Sequence, residues 1–367
     1  MDPRITNKKN NLNKLYFTLS NVDISIANSI RRTLLSDIEI VVFETTPYEN
    51  NKANIKINTS RLNNEVLKQR LSCIPIHITD REMPIQNYVM ELDVKNNTDS
   101  MLIVTTEDFK IKNLSTDEYL SDKDTKDIFP PNELTGSYID FVRLRPKISN
   151  DIPGEQISMT CEFSWSSARS NGMYNVVSTC AYGFTQDVIE VNKQLEKKKQ
   201  SWKDAGLSKD DVVFESNNWK TLDAQRIITK NSYDFTVETV GIYTNKELIS
   251  KACDKIILKM NKLKDEIDKD IILIEPAQNT MKNSYDITLI NEDYTIGKVM
   301  EYLLYSEYYE NNKTMSYCGF KKMHPHETES IIRVAYVEPT EKSGLKNDLV
   351  ESIDRACKIY NAIKEKI

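Results

Sequence analysis

Residues 17–36 read FTLSNVDISIANSIRRTLLS, and residues 287–306 read ITLINEDYTIGKVMEYLLYS. The two stretches align without a gap, and 7 of their 20 positions are identical. These are Thr18/Thr288, Leu19/Leu289, Asn21/Asn291, Asp23/Asp293, Ile26/Ile296, Leu34/Leu304 and Ser36/Ser306. Each copy predicts a short strand, a polar turn and an amphipathic helix. Asn and Asp favour the turn, and Ser25 and Thr295 offer a hydroxyl at the expected N-cap. Ile26, Ile30 and Leu34 then recur at helical spacing, as do Ile296, Met300 and Leu304. Ala27 and Gly297 follow the first apolar residue of each helix, where a partner helix could approach closely. A unit repeated within one chain predicts a pseudo-symmetric pair of like domains.

Working outward, each copy leads to a second strand and a long helix. Phe235–Tyr243 alternates like a half-buried strand, and Leu248, Ala252, Ile256, Met260 and Leu263 then mark one face of a helix. Ile331–Glu338 alternates likewise, followed by Leu345, Leu349, Ile353, Ala356 and Tyr360. Two long helices with one apolar stripe each are natural partners. The first half differs by an excess of ~170 residues between its helices, enough for an inserted domain by the usual size range.

These residues carry a resemblance. Ala27-Asn28-Ser29-Ile30-Arg31-Arg32 resembles the start of the alpha-type subunit of multisubunit RNA polymerases. Asn64–Ile76 (NEVLKQRLSCIPI) is similar to that family's helix ending in Arg-Leu-x-x-Ile-Pro. Gly154–Cys161 and Ser232–Gly241 follow in the expected order. The C-terminal part resembles the smaller alpha-like partner through Asn291–Gly297, Cys318–His326 and Ile331–Arg333. The resemblance covers nearly the whole chain. It implies a fusion of the two alpha-like subunits, of the archaeal D and L type or the eukaryotic third-largest and eleventh type. Such single-chain fusions belong to large DNA viruses that carry their own polymerase.

The fold class this implies is α+β, with two alpha-type dimerisation domains pairing within one chain. The first, at residues 1–47 and 176–267, is interrupted by a mainly β insert at 48–175; the second spans 268–367. A linker is expected at Lys264–Lys282, with the boundary near Asp268. The resemblance implies a non-catalytic assembly platform. Its partners would be the second-largest, beta-like subunit and the largest, beta-prime-like subunit, with small zinc-ribbon subunits as further candidates. Asn28, Arg31, Arg32 and Arg70 are the expected contacts to the large subunits. At 100° per residue, Arg31 and Arg32 point away from the apolar face of their helix, and a guanidinium suits interface ion pairs. Glu301 and Tyr302 stand at the corresponding positions of the second copy, where a different large subunit would bind. Ile26, Ile30, Leu34, Ile296, Gly297, Met300, Leu304, Leu349 and Ile353 are the expected intramolecular pairing residues. The expected setting is intracellular, in a host cytoplasm or nucleus and inside the virion.

Composition narrows the alternatives. The chain has 367 residues, 28% charged and 39% hydrophobic. It has no apolar run near the ~18 residues of a membrane span, and no secretory leader is read at its polar start. Its six cysteines are scattered without close pairs, which points to reduced thiols. Net charge is -6, against strong direct DNA binding, which needs a clustered basic face. The basic run Lys193–Lys203 reads as a solvated helix or loop. His324-Pro-His326 lacks the partner ligands of a zinc site and reads as a polar turn. Thr79–Thr160 holds no cysteine, so the metal or iron–sulfur cluster of some relatives is not expected. Asp122–Asp127 lacks the Gly and Glu of a calcium loop and reads as an exposed acidic loop. No phosphate-binding glycine loop is present, no cofactor is expected, and the family's catalytic acid cluster belongs to its largest subunit. Two other classes fit parts of the sequence. One is a pseudo-dimeric scaffold outside transcription. The other is an enzyme in the insert using Asp140, Arg143 and Arg145.

Overall fold

The computed structural model describes residues 1–149, 152–278 and 280–367. The chain is mixed α+β and divides into two compact units. One comprises Met1–Leu34, Thr179–Glu238 and Asn245–Ile367; the other comprises Leu35–Ser178 and Thr239–Thr244.

The first unit holds two four-stranded sheets of like order. One contains β1 (Arg4–Asn11), β2 (Lys14–Ser20), β3 (Val177–Gln186) and β4 (Ile228–Thr239), in the order β1-β2-β4-β3. The other contains β5 (Leu273–Pro276), β6 (Ser284–Ile290), β7 (Met315–Lys321) and β8 (Glu329–Tyr336), in the order β5-β6-β8-β7. The quoted repeats supply β2 with α1 (Ile24–Ser36), and β6 with α2 (Tyr294–Leu304). Both turns are built identically. Asn21 and Asn291 take the left-handed conformation, at φ 63° and 60°, which Asn tolerates better than most side chains. Asn21 N–H donates to Asn231 O and Asn291 N–H to Thr328 O, each at 2.7 Å.

The helix caps differ from expectation. Asp23 and Asp293, not Ser25 and Thr295, accept the exposed N–H groups, Asp23 from Ser25 N and Asp293 from Thr295 N, both at 2.8 Å. A carboxylate makes the stronger, charge-assisted bond and suits the positive end of the helix dipole. The two hydroxyls are thereby freed for other uses.

Apolar periodicity becomes core packing. Ile26, Ile30 and Leu34 of α1 are buried, as are Ile296, Met300 and Leu304 of α2. Each such side chain contributes about 1.5–3 kcal/mol relative to exposure. The long helices are α3 (Asn245–Asp268) and α4 (Lys342–Lys366), and they pack against each other and on α2. Their stripes, including Leu248, Ile256, Met260, Leu349, Ile353 and Tyr360, are buried. Gly297 is explained differently from expectation. A Cβ there would lie 2.0 Å from the Phe320 ring, so the glycine admits an aromatic side chain of β7 rather than a helix.

Three stretches carry more regular structure than their polarity suggests. The basic run, read as a solvated helix or loop, is a helix, Val188–Asp204, and beyond that reading it pairs with Lys209–Thr221. Val191, Leu195, Trp219 and Ala224 form a small core between them, with Lys198 over the Trp219 ring. This hairpin joins β3 to β4, whereas the turn holding His324 and His326 joins β7 to β8. The stretch expected as a linker holds the end of α3 and the edge strand β5, whose alternate residue Ile274 is buried. Asn279 lies outside the described residues. Asp122–Ile128, expected as an acidic loop, is a short helix capped by Ser121, with Asp122 and Asp124 in its first turn. Acidic side chains at that end oppose the dipole favourably.

The second unit is mainly β. A five-stranded sheet has the order Ala53–Asn58, Gln156–Glu162, Tyr88–Lys95, Lys110–Asn113, Glu118–Tyr119. Two strand pairs, Glu39–Val42 with Ser164–Ser167 and Leu102–Thr105 with Asp140–Leu144, complete it. Its core gathers Phe43, Leu71, Met90, Phe109, Phe129 and Phe141. Gly154 is forced here, because a Cβ would sit 1.7 Å from Asn96 O.

Candidate functional site

The repeat-defining helices build the site. Arg32 of α1 crosses to the N-terminus of α2. Its Nη2 donates to Asp293 Oδ2 at 2.8 Å and its Nε to Thr295 Oγ1 at 2.9 Å. Arg32 is thus half-exposed and engaged within the chain, a correction to its reading as a side chain available to a partner. Pointing away from an apolar face is not pointing away from the protein, because the polar cap of the second copy lies there. Arg31 donates from Nε and Nη2 to Asn28 Oδ1 at 3.0 and 2.9 Å, so these two expected contact residues form one half-buried polar cluster. Beneath them Ser29 Oγ donates to Ile26 O, and the fully buried Tyr360 hydroxyl of α4 lies 2.6 Å from Ser29 Oγ. With the serine proton committed to Ile26, Tyr360 is the donor.

Arg70 lies in the second unit. It is exposed, yet its Nε donates to Phe141 O at 2.8 Å and its Nη2 to Asp140 O at 2.5 Å. It ties the helix Asn64–Ser72 to the strand Asp140–Leu144, while Leu71 beside it is fully buried. That accounts structurally for the Arg-Leu pattern.

The alternative catalytic group does not converge. Arg143 pairs with Asp140 at 3.2 Å on the exposed side of the strand, and Arg145 pairs with the buried Glu155 at 2.6 Å. His324 and His326 stack edge to face with each other. Among the described residues no group of three or more His, Cys, Asp or Glu is arranged to hold a metal. The six thiols are free, and burial pushes Cys180, Cys253 and Cys318 up to about 12, far from a nucleophilic thiolate at neutral pH. No described helix is long and apolar enough to cross a membrane.

Sequence reasoning missed one feature, a cavity of about 500 Å³ on the first unit. Asp23, Ile24, Ser25 and Asn28 of α1 line it, facing Lys298, Glu301 and Tyr302 of α2, with Tyr182, Tyr305 and Cys318 completing the wall. Burial and the Asp23 charge push the phenols of Tyr182 and Tyr302 above their ordinary range. They remain neutral, and the Tyr182 ring packs on Tyr233 and Phe235 behind the wall. The divergence of Arg32 to Tyr302 between the copies was the available signal.

The sheet-and-helix frame occurs twice, and its two long helices pack against each other. Residues 16–260 match the family described as RNA polymerase Rpb3/Rpb11 dimerisation domain, and the chain belongs to that family. It is 26% identical over 300 residues to the DNA-directed RNA polymerases I and III subunit rpac1 of Dictyostelium discoideum, covering 70% of this chain and 79% of that one. The Homo sapiens RPAC1 subunit of the same name is 22% identical over 306 residues, covering 70% and 82%. A Tetrahymena thermophila conjugation stage-specific protein is 24% identical over 305 residues, covering 70% and 92%.

Proposed function

We propose that this chain is the non-catalytic assembly platform of a multisubunit DNA-dependent RNA polymerase, an alpha-like heterodimer folded within one polypeptide. The observation that carries the reading is the double occurrence of one sheet-and-helix frame in a chain whose residues 16–260 belong to the Rpb3/Rpb11 family. The first frame with its insert corresponds to the D-type subunit, and the second, from about residue 268, to the L-type subunit. The two large catalytic subunits dock on opposite sides of the pair, the beta-like subunit on the α1 face. Joining the halves removes an association step that costs about 4–15 kcal/mol for separate chains. It also sets their ratio at one to one. The fused arrangement is the basis for proposing a large DNA virus as the source, with the polymerase working in the host cell and packaged in the virion.

The test is affinity purification of the tagged chain from its native source. Two large polymerase subunits recovered in equal amounts, with template-dependent RNA synthesis in the eluate, are the expected result. Recovery of the chain alone, or with proteins unrelated to transcription, overturns the proposal in favour of a scaffold of another kind.

A further inference from the structure

The two repeats carry the same groups at the starts of α1 and α2, and one position is filled while its mate is open. At one end Arg32 bonds Asp293 and Thr295. The repeat pairs Asp293 with Asp23, Thr295 with Ser25, and Arg32 with Tyr302. At the other end, therefore, the carboxylate and hydroxyl are present and the arginine is not. Ser25 Oγ is shut off from solvent with no hydrogen-bond partner. Its counterpart Thr295 Oγ1 accepts from Arg32. A buried hydroxyl without a partner is uncommon and calls for an explanation. Asp23, half-buried, accepts from Ser25 N, and among the described residues no cation pairs with it. The cavity opens at this end.

Its lining has the chemistry of a cation site. Asp23 and Glu301 supply two carboxylates, and Lys298, 2.5 Å from Glu301, neutralises one of them. Among the lining residues one net negative charge is left beside three tyrosines, Tyr182, Tyr302 and Tyr305, while Arg31, held on Asn28 Oδ1, stands behind the wall near Tyr182. Aromatic faces attract a guanidinium, and a planar fork of donors matches a carboxylate with an adjacent hydroxyl. Arg32 on Asp293 and Thr295 shows, in the same fold, what occupies such a pair.

We propose that this cavity is a docking slot for an arginine side chain presented by one of the large polymerase subunits, seated on the Asp23 carboxylate as Arg32 is seated on Asp293, with the Ser25 hydroxyl turning out from its buried position to accept the second bond as Thr295 does. The inference rests on the assembly-platform reading and names the chemistry of one contact within it. The asymmetry also gives the platform two distinguishable ends: one closed by its own arginine, the other completed only by a partner.

The experiment uses the full-length chain co-expressed with the two large subunits. Asp23→Asn keeps the cap, since Asn is as good an N-cap as Asp, but removes the charge. It is expected to lower the thermal midpoint of the free chain only slightly, by the lost charge at the cap, and to reduce recovery of one large subunit by about tenfold or more. Tyr302→Arg lets the chain fill its own slot and is expected to give the same loss without destabilising the free chain. The photo-crosslinker p-benzoylphenylalanine, placed at Ile24 on the cavity rim, is expected to label an arginine-bearing segment of that subunit, and the label to vanish with Tyr302→Arg. Recovery of both large subunits at the unsubstituted level by Asp23→Asn and Tyr302→Arg overturns the slot and leaves the platform reading standing. A crosslink to a segment without arginine, or to a second copy of this chain, overturns it as well. If the unsubstituted chain recovers neither large subunit, the platform reading falls and the slot with it.

Discussion

Arg32 commits two of its donors inside the chain, so its removal should be felt before any partner is present. The pair is about one-third exposed on the arginine side. A charge-assisted bond of this kind contributes about 1–2 kcal/mol after discounting for solvent screening. Arg32→Ala should therefore lower the free energy of unfolding by that amount in urea titrations. Arg32→Lys should recover only part, because an ammonium cannot bond Asp293 and Thr295 in the same fork. No change in the alanine variant would mean that the bond contributes nothing in solution. His77 offers a second test at this scale. Burial holds its pKa below the ordinary 6.5, so the unfolded chain binds the proton more readily than the folded one. Its contribution is then fully present above about 6.5 and is lost as pH falls through the lowered folded value. Unfolding midpoints of the unsubstituted chain should fall across that window, and His77→Gln should flatten the fall. The helical wheel placed Arg31 and Arg32 correctly with respect to α1. What it could not supply was the neighbour, since the Asp293 cap is brought there only by folding across some 260 residues of sequence.

At the scale of elements, the periodic stretches were legible because burial enforces their period. The α1, α2, α3 and α4 stripes are all buried as the spacing predicts. The short and polar elements were not. The helix Asp122–Ile128 is held by its Ser121 cap and by burial of Ile128 and Phe129, which lie at or beyond the end of the acidic run. The helical hairpin is held by Val191 and Leu195 of its first helix meeting Trp219 of the second and Ala224 just beyond it, a contact between two separate stretches of sequence. Gly297 illustrates the same limit. Smallness signals close approach, but whether a helix or a ring approaches depends on β7. Gly297→Ala would normally favour a helix by propensity alone. Here the clash with Phe320 should win, with a net loss of about 1–3 kcal/mol. Phe320→Leu in the same chain should relieve the clash, so the double substitution should cost less than the sum of the singles by chemical denaturation. Strict additivity would show that the ring does not oppose the new methyl group.

At the scale of the whole molecule, the polypeptide link between the frames is short and the non-covalent contact between them is extensive. Residues 269–272 separate α3 from β5. Across the junction α3 packs along α4, burying Ile256, Met260, Leu349 and Ile353 among others. Ion pairs Lys264–Asp354 at 2.7 Å, Lys364–Asp254 at 2.6 Å and Arg32–Asp293 at 2.8 Å flank this core. The exposed pairs add little individually; the apolar stripes carry the association, as in an obligate interface. If the link only sets stoichiometry and removes the entropic cost of meeting, it should be dispensable once the chain has folded. A protease site placed at residues 269–272 should be cleavable to completion, with the two pieces eluting together on gel filtration at micromolar concentration. After complete unfolding, dilution of the nicked chain should slow its reassembly in proportion to concentration, while the intact chain should refold at a rate independent of it. The charged pairs should make the nicked complex only weakly salt-sensitive, because screening acts on the rim and not on the buried stripes. Separation of the pieces immediately after cleavage would mean that the frames are held by their tether, and the intramolecular heterodimer would have to be abandoned.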